Sequence, residues 1–93
     1  MLTLPIKKKW FDMILAGEKR EEYRALTSRY KTMFQNASRV SDVFPCRIRN
    51  GYESYRPSAI IMCKYRIDYG RPEWGAVPGQ KYCVLEILSV EKE

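Results

Sequence analysis

The sequence predicts one α+β domain, covering residues 1–93, in which two short helices near the N-terminus are followed mainly by β-strands. Three observations lead to this prediction. Two early stretches carry apolar residues at the spacing of a helix, whereas three later runs alternate apolar and polar residues as strands do. The length suits a single domain, and the 45% of hydrophobic residues are enough for a small core.

The first half of the chain is predicted to contain two strands and two helices. In order, they are a strand at Leu2–Ile6, a helix from Lys7 to about Ala16, a strand at Glu21–Leu26, and a helix from Thr27 or Ser28 to about Ala37. The apolar face of the first helix is formed by Trp10, Phe11, Ile14 and Leu15. Gly17 suits the left-handed position that ends a helix, and we assign it that structural role.

The second half is predicted to be rich in strands. The strand candidates are Val43–Arg49, Ser58–Asp68 and Lys81–Val90, separated by an Asn50-Gly51 turn and a loop from Tyr69 to Gln80. The first of these strands alternates apolar residues with arginines. Its inward face carries Phe44, Cys46 and Ile48, and its outward face is a basic stripe of Arg47 and Arg49.

The charge balance favours a polyanionic partner. Lysine and arginine number 17 against 11 acidic residues, and the formal net charge is +6. A basic surface attracts nucleic acid, although an ordinary soluble domain can carry the same excess. We therefore expect RNA or a nucleoside-like ligand as the partner, and the sequence leaves the oligomeric state open.

The residue types exclude several kinds of chemistry. The chain has no histidine, so any acid–base step would fall to other side chains. Cys46, Cys63 and Cys83 are isolated in apolar runs, without a Cys-x-x-Cys pair. We therefore expect buried thiols, no zinc or other metal, and no cofactor. Free thiols and the lack of a long apolar run predict a cytoplasmic protein without a membrane partner.

The stretch from Gly17 to Arg24 has the pattern Gly-x-Lys-x-x-Glu-x-Arg. Glu22 and Arg24 share one face of the second strand, and Lys19 precedes them in the turn. If the turn brings Lys19 beside the strand, three charged groups converge. They could form an ion-pair network that fastens helix to sheet. The alternative is a ligand site in which a lysine near apolar walls acts as a base or nucleophile.

The expected protonation of Lys19 bears on that alternative. A nearby carboxylate favours the ammonium form, so we expect Glu22 to raise the pKa of Lys19. A raised pKa suits an electrostatic contact to a ligand better than a free base near neutral pH.

A lysine cluster at the start of the first helix is a candidate contact for phosphate. Lys7, Lys8 and Lys9 lie where free helix N–H groups and the positive end of the dipole attract anions. The alternative is that these long side chains simply extend into water.

Aromatic and basic residues are also interleaved from Arg49 to Arg56 and from Tyr65 to Trp74. Rings that stack on unpaired bases, with basic side chains on phosphates, are typical of proteins that hold single-stranded RNA. The alternative is that Tyr52 and Trp74 close the ends of the fold.

The charged pattern and its flanks together resemble the ASCH domain family of the PUA-like superfamily. The similar flanking segments are Leu2–Ile6 with Trp10–Leu15, Arg49–Tyr52, and Pro72 through Tyr82. The resemblance spans nearly the whole chain. It implies a PUA-like β-barrel, mostly antiparallel and with about five to six strands, and it implies RNA binding, which occurs in the wider superfamily.

The resemblance also implies two enzymatic alternatives. Some small ASCH-like proteins are amidohydrolases that deacetylate an acetylated cytidine nucleoside, and another branch cleaves RNA. The catalytic lysine of the amidohydrolases matches Lys19, but their catalytic threonine matches Glu22 here. Their catalytic glutamate lies in a later helix, and Glu53, Glu73 or Glu86 are the candidates to replace it in this chain.

We therefore predict a domain that binds RNA or a nucleobase-containing ligand in a charged cleft. One alternative is an enzyme acting on a modified nucleoside or RNA, with Lys19 and Glu22 as the catalytic candidates. The other is a protein-interaction module. The predicted ligand-binding residues are Lys8, Lys9, Arg24, Arg47, Arg49, Asn50, Tyr52 and Trp74.

Overall fold

Five strands, two α-helices and one short 3₁₀ helix make up the structure, a computed structural model that describes residues 1–93. In chain order they are β1 (Leu2–Pro5), α1 (Lys8–Leu15), β2 (Glu21–Arg24), α2 (Ser28–Val40), β3 (Phe44–Arg49), β4 (Ser58–Tyr69), the 3₁₀ helix (Pro72–Trp74) and β5 (Lys81–Lys92). The predicted α+β class and the order of its elements are confirmed. The largest differences are at the ends of three elements: α2 and β5 extend beyond the predicted ends at Ala37 and Val90, and β2 stops two residues before the predicted end at Leu26.

The five strands form one curled, mixed sheet in the order β1-β3-β4-β5-β2. Three neighbouring pairs are antiparallel, but β1 runs parallel to β3. A parallel pair requires a long crossover, and here α1, β2 and α2 supply it. The edge strands β1 and β2 do not pair with each other, so the sheet is a half-barrel that stays open between them.

A bulge contributes to the curl of the two longest strands. In the ladder of β4 and β5, Met62 lies opposite Ser89 while Cys63 lies opposite Ile87, which leaves Leu88 as an extra residue. Such a bulge bends the strand and increases its twist. The bend carries β5 round to pair with β2 at its other edge.

The core fills the concave side of the sheet and is covered by the two helices. Phe11 and Ile14 of α1 and Phe34 of α2 are buried there. From β3, the core receives Phe44, Cys46 and Ile48, so the alternation predicted for this strand is confirmed. Neither helix has the length and apolar character needed to cross a membrane.

Candidate functional site

The three charged residues of the Gly17–Arg24 stretch meet in the structure. Lys19 Nζ lies 3.1 Å from Glu22 Oε1, and Arg24 Nη2 lies 2.9 Å from Glu22 Oε2. Lys19 Nζ also donates to the backbone carbonyl of Glu21. Each oxygen of the Glu22 carboxylate therefore has its own cationic partner, and the group is held in one orientation.

The turn after α1 aims Lys19 inward, and Gly17 makes that turn. Gly17 has a φ of +77°, in the left-handed region that favours glycine. Its N–H donates to Ile14 O at 3.1 Å, and Glu18 N–H donates to Met13 O at 2.9 Å. These two bonds are those of a Schellman motif, which ends the helix and reverses the chain.

Arg24 connects the two unpaired edges of the half-barrel. Its Nη2 donates to Pro5 O of β1 at 2.9 Å as well as to Glu22 of its own strand. A side chain thus bridges the gap that no backbone ladder closes. The Nε of Arg24 is buried without a hydrogen-bond partner, which offsets part of the stability that the bridge contributes.

The pKa of Lys19 is lowered, not raised as the sequence led us to expect. Burial is the largest cause, because the side chain is only 1% exposed and desolvation disfavours the ammonium. Glu22 acts in the opposite direction but does not compensate for the burial. The aromatic surroundings are the rings of Tyr23 and Trp10, whose centroids lie 4.8 and 5.4 Å from Nζ. The expectation gave the carboxylate more weight than the alternative of a lysine near apolar walls, and only the fold reveals how deeply the amine is buried.

A cleft of about 500 Å³ opens over this charged group, between the end of β1 and strand β2. Its volume lies within the usual range for small-molecule sites. Arg24 and Glu22 provide its polar inner surface, and Lys7 lines it as well. Its other lining residues are Pro5, Ile6, Trp10, Tyr23, Gly51, Tyr52, Trp74 and Gly75.

Aromatic side chains form the walls of the cleft, and several are fixed by their contacts. Trp74 donates its indole N–H to Glu18 O at 2.8 Å. Trp10 packs so closely on Gly75 that a Cβ there would lie 3.0 Å from the ring. Tyr23 donates to Glu21 Oε1 and accepts from a backbone N–H of the loop before β5. Tyr52, by contrast, is 85% exposed and extends from the loop after β3.

Of the eight predicted ligand-binding residues, the structure brings Arg24, Tyr52 and Trp74 into the cleft. Lys8 instead pairs with Asp12 at 2.6 Å, and Lys9 Nζ lies 4.6 Å from the centroid of the Trp10 ring. None of the remaining predicted residues, Arg47, Arg49 and Asn50, lines it.

Those remaining residues have other contacts. Arg47 makes a bidentate pair with Glu93, at 2.6 and 2.9 Å. The Nε of Arg49 is buried without a partner, and Asn50 accepts a hydrogen bond from Arg56 through its backbone carbonyl. The predicted basic stripe is therefore separate from the cleft.

Sequence reasoning missed Trp10 and Tyr23 as cleft residues, and it named Lys7 only as part of the lysine cluster that could contact phosphate. Trp10 shares the helical periodicity of the buried Phe11, so the pattern assigned it to the core. Its position at the rim follows from the loop that packs on it at Gly75, and no signal along the chain indicates that contact.

Only one of the two catalytic candidates lines the cleft. Glu22 lines the cleft, whereas Lys19 lies behind it and does not. The glutamates considered as a third catalytic group, Glu53, Glu73 and Glu86, do not line the cleft either. No group of three His, Cys, Asp or Glu side chains is arranged to hold a metal ion.

No protein-family model, curated protein or solved structure matches this chain.

Proposed function

We propose that this chain is an ASCH-type domain of PUA-like fold whose cleft binds RNA or another ligand that contains a nucleobase. One observation carries the proposal: aromatic walls converge on a fixed carboxylate and guanidinium inside a cleft of about 500 Å³, which has room for a nucleobase and the sugar attached to it. A nucleobase has the matching chemistry, since its faces are apolar and its edge carries hydrogen-bond donors and acceptors.

The walls suit stacking, and the rim suits phosphate. Trp10, Tyr52 and Trp74 offer ring faces or edges to the cleft, and base–aromatic stacking contributes about 1–3 kcal/mol per base. Lys7 adds a cation at the entrance, and the net charge of +6 attracts a polyanion over longer range.

The family assignment is supported by the arrangement of the charged pattern. Gly17 ends the helix, and the lysine, glutamate and arginine of the pattern form one network at the open side of the half-barrel. The resemblance to the family is stronger because the residues of this short pattern contact one another. The curled sheet is also compatible with a PUA-like fold.

Fluorescence anisotropy with labelled single-stranded RNA oligonucleotides, at two salt concentrations, tests the proposal. We expect binding in the micromolar range that weakens steeply with salt, because phosphate contacts release counterions. Tyr52→Ala should weaken binding by about 5- to 150-fold, the equivalent of one lost stacked base. Tyr55→Ala is the matched control, because Tyr55 lies in the same loop, is 79% exposed and does not line the cleft.

Three outcomes would contradict the proposal. They are no binding at low salt, binding that is indifferent to salt, and equal losses in the two tyrosine variants. Both tyrosines are exposed, so neither variant is expected to unfold.

A second function is favoured by one observation, the lowered pKa of Lys19. A buried lysine that loses its proton more easily can serve as a base or nucleophile in removing the acetyl group of acetylcytidine. However, Lys19 is behind the cleft, and Glu22 stands where the related amidohydrolases have threonine. We therefore expect weak or no turnover.

Release of acetate from acetylcytidine, followed for wild type, Lys19→Ala and Glu22→Thr, distinguishes the two functions. Activity that appears only in Glu22→Thr supports the binding function of the native chain. Brisk turnover by wild type that Lys19→Ala abolishes makes the chain an enzyme.

A further inference from the structure

We infer that the cleft selects guanine among the nucleobases, and that Glu22 is the residue that determines this specificity. The inference rests on the proposed function, since it names the base that the cleft would hold. It follows from the hydrogen-bonding capacity of the charged groups that face the ligand.

Glu22 presents acceptors only. An ionised carboxylate has two oxygens with about four lone-pair sites and no donor. Lys19 and Arg24 each take one oxygen, at 3.1 and 2.9 Å, which leaves acceptor capacity on both. Because the two cations hold the carboxylate from opposite oxygens, it cannot turn to offer a different pattern. A ligand must therefore bring donors to it.

Arg24 presents donors beside those acceptors. Both of its hydrogen bonds to the protein come from Nη2, one to Glu22 and one to Pro5 O. Arg24 also lines the cleft, and a guanidinium has no acceptor. The polar inner surface thus offers a pair of acceptors next to a donor.

Two other polar groups of the cleft are already engaged. The Tyr23 hydroxyl donates to Glu21 and accepts from Arg71 N, and the Trp74 indole donates to Glu18 O. These groups can contribute surface to a bound base, but they are not free to read its edge. The remaining polar side chains of the cleft lie at its walls and entrance, so discrimination falls mainly to Glu22 and Arg24, the fixed pair at the inner surface.

Guanine is the base whose edge matches this pattern. Its N1–H and N2–H₂ groups are adjacent donors that can both reach one carboxylate, and its O6 is an acceptor for the arginine. Adenine and cytosine each place one amino donor beside ring acceptors, and uracil has a single N3–H between two carbonyls. With any of these three bases, a lone pair of Glu22 would face an acceptor or remain unpaired in a site with little access to water.

The test compares nucleotides that differ by single donors, using isothermal titration calorimetry with 5′-GMP, 5′-IMP, 5′-AMP, 5′-CMP and 5′-UMP. The key pair is GMP and IMP, because hypoxanthine is guanine without its N2 amino group. We expect GMP to bind at least about tenfold more tightly than IMP, since the missing donor leaves one carboxylate oxygen without its partner. AMP, CMP and UMP should all bind more weakly than GMP.

A protein variant complements the ligand series. Glu22→Gln replaces one acceptor by a donor, so the ratio of GMP to IMP affinity should fall to near one. Glu53→Gln is the control, because Glu53 is exposed and lies outside the cleft. If Glu22→Gln does not fold, the comparison of GMP with IMP on wild-type protein still decides the matter.

The same titrations identify the source of the base. A uridine hexamer with one central guanosine, set against the same hexamer with inosine, shows whether the guanine is read within RNA or as a free nucleotide. Tighter binding of the guanosine hexamer than of the inosine hexamer assigns the site to guanine within RNA, whereas a preference for GMP over IMP with no difference between the hexamers assigns it to a free nucleotide.

The outcomes separate the inference from the function beneath it. Equal affinity for GMP and IMP, or tighter binding of AMP, CMP or UMP, overturns guanine selection while nucleobase binding stands. No binding of any nucleotide or of either hexamer overturns both. An unchanged GMP preference in a folded Glu22→Gln variant overturns the role of Glu22.

Discussion

Replacing Arg24 by alanine should destabilise the fold strongly, because this side chain links both edges of the half-barrel. Two hydrogen bonds are lost, from Nη2 to Glu22 Oε2 and to Pro5 O, each of 2.9 Å. Hydrogen bonds of charged groups contribute about 1.5–3 kcal/mol each, whereas removing the buried, unpaired Nε returns about 1–3 kcal/mol. Glu22 also keeps Lys19 as a partner, so it is not left fully unpaired.

The net loss expected for Arg24→Ala is about 2–3 kcal/mol in the free energy of unfolding, below the cost of leaving a buried charge alone. Urea unfolding followed by circular dichroism measures it. Arg47→Ala is the matched control, because its bidentate pair with Glu93 is more exposed and such surface pairs contribute about 0–1 kcal/mol. If Arg24→Ala loses no more stability than Arg47→Ala, the edge-to-edge bridge does not stabilise the fold as argued.

Three other expectations concern buried groups. In the pH range between the lowered pKa of Lys19 and its usual value of 10.5, the unfolded chain binds a proton that the folded chain does not. The stability of the wild type should therefore rise with pH in this range relative to that of Lys19→Met. Parallel pH dependence of the two proteins in urea unfolding would contradict this. Gly70→Ala places a Cβ 2.7 Å from the Tyr23 ring and should cost more stability than Gly17→Ala. The Cβ of Gly17→Ala meets no atom within 4 Å, so this variant costs only the strain of its φ, about 1–2 kcal/mol. Equal losses in thermal melts would refute the packing argument. All three cysteines are buried, and burial raises the pKa of the Cys46 and Cys63 thiols to about 12. A thiol reagent at pH 8 should therefore label no cysteine in the native state and all three in urea. Rapid labelling of the native protein would contradict this and show that the core opens.

Much of the fold could be predicted from local pattern. The alternation from Phe44 to Arg49 predicted β3 because its period of two depends only on which face is buried. The glycine at position 17 predicted the end of α1 because a left-handed residue is needed there. The charged network could also be anticipated, since Glu22 and Arg24 share a strand face and Lys19 lies in the turn that precedes this strand.

The rest depends on contacts between distant segments. The parallel pairing of β1 with β3 and the extra residue at Leu88 follow from how the sheet curls, which no short window contains. Desolvation of Lys19 is likewise a tertiary property, and it reversed the expected direction of its pKa. The role of Trp10 changed for the same reason, because a loop more than sixty residues later builds the opposite wall of the cleft.

The most direct test of nucleobase binding in the cleft is a ¹H–¹⁵N NMR titration of the protein with a short single-stranded RNA. The chain has two tryptophans, Trp10 and Trp74, and both line the cleft, so their indole N–H signals report on it directly. We predict that these two signals and the backbone amide of Tyr52 show the largest shifts, while those of Arg47 on the separate basic stripe change little. RNA binding that shifts the Arg47 region and leaves both indole signals in place would contradict the account.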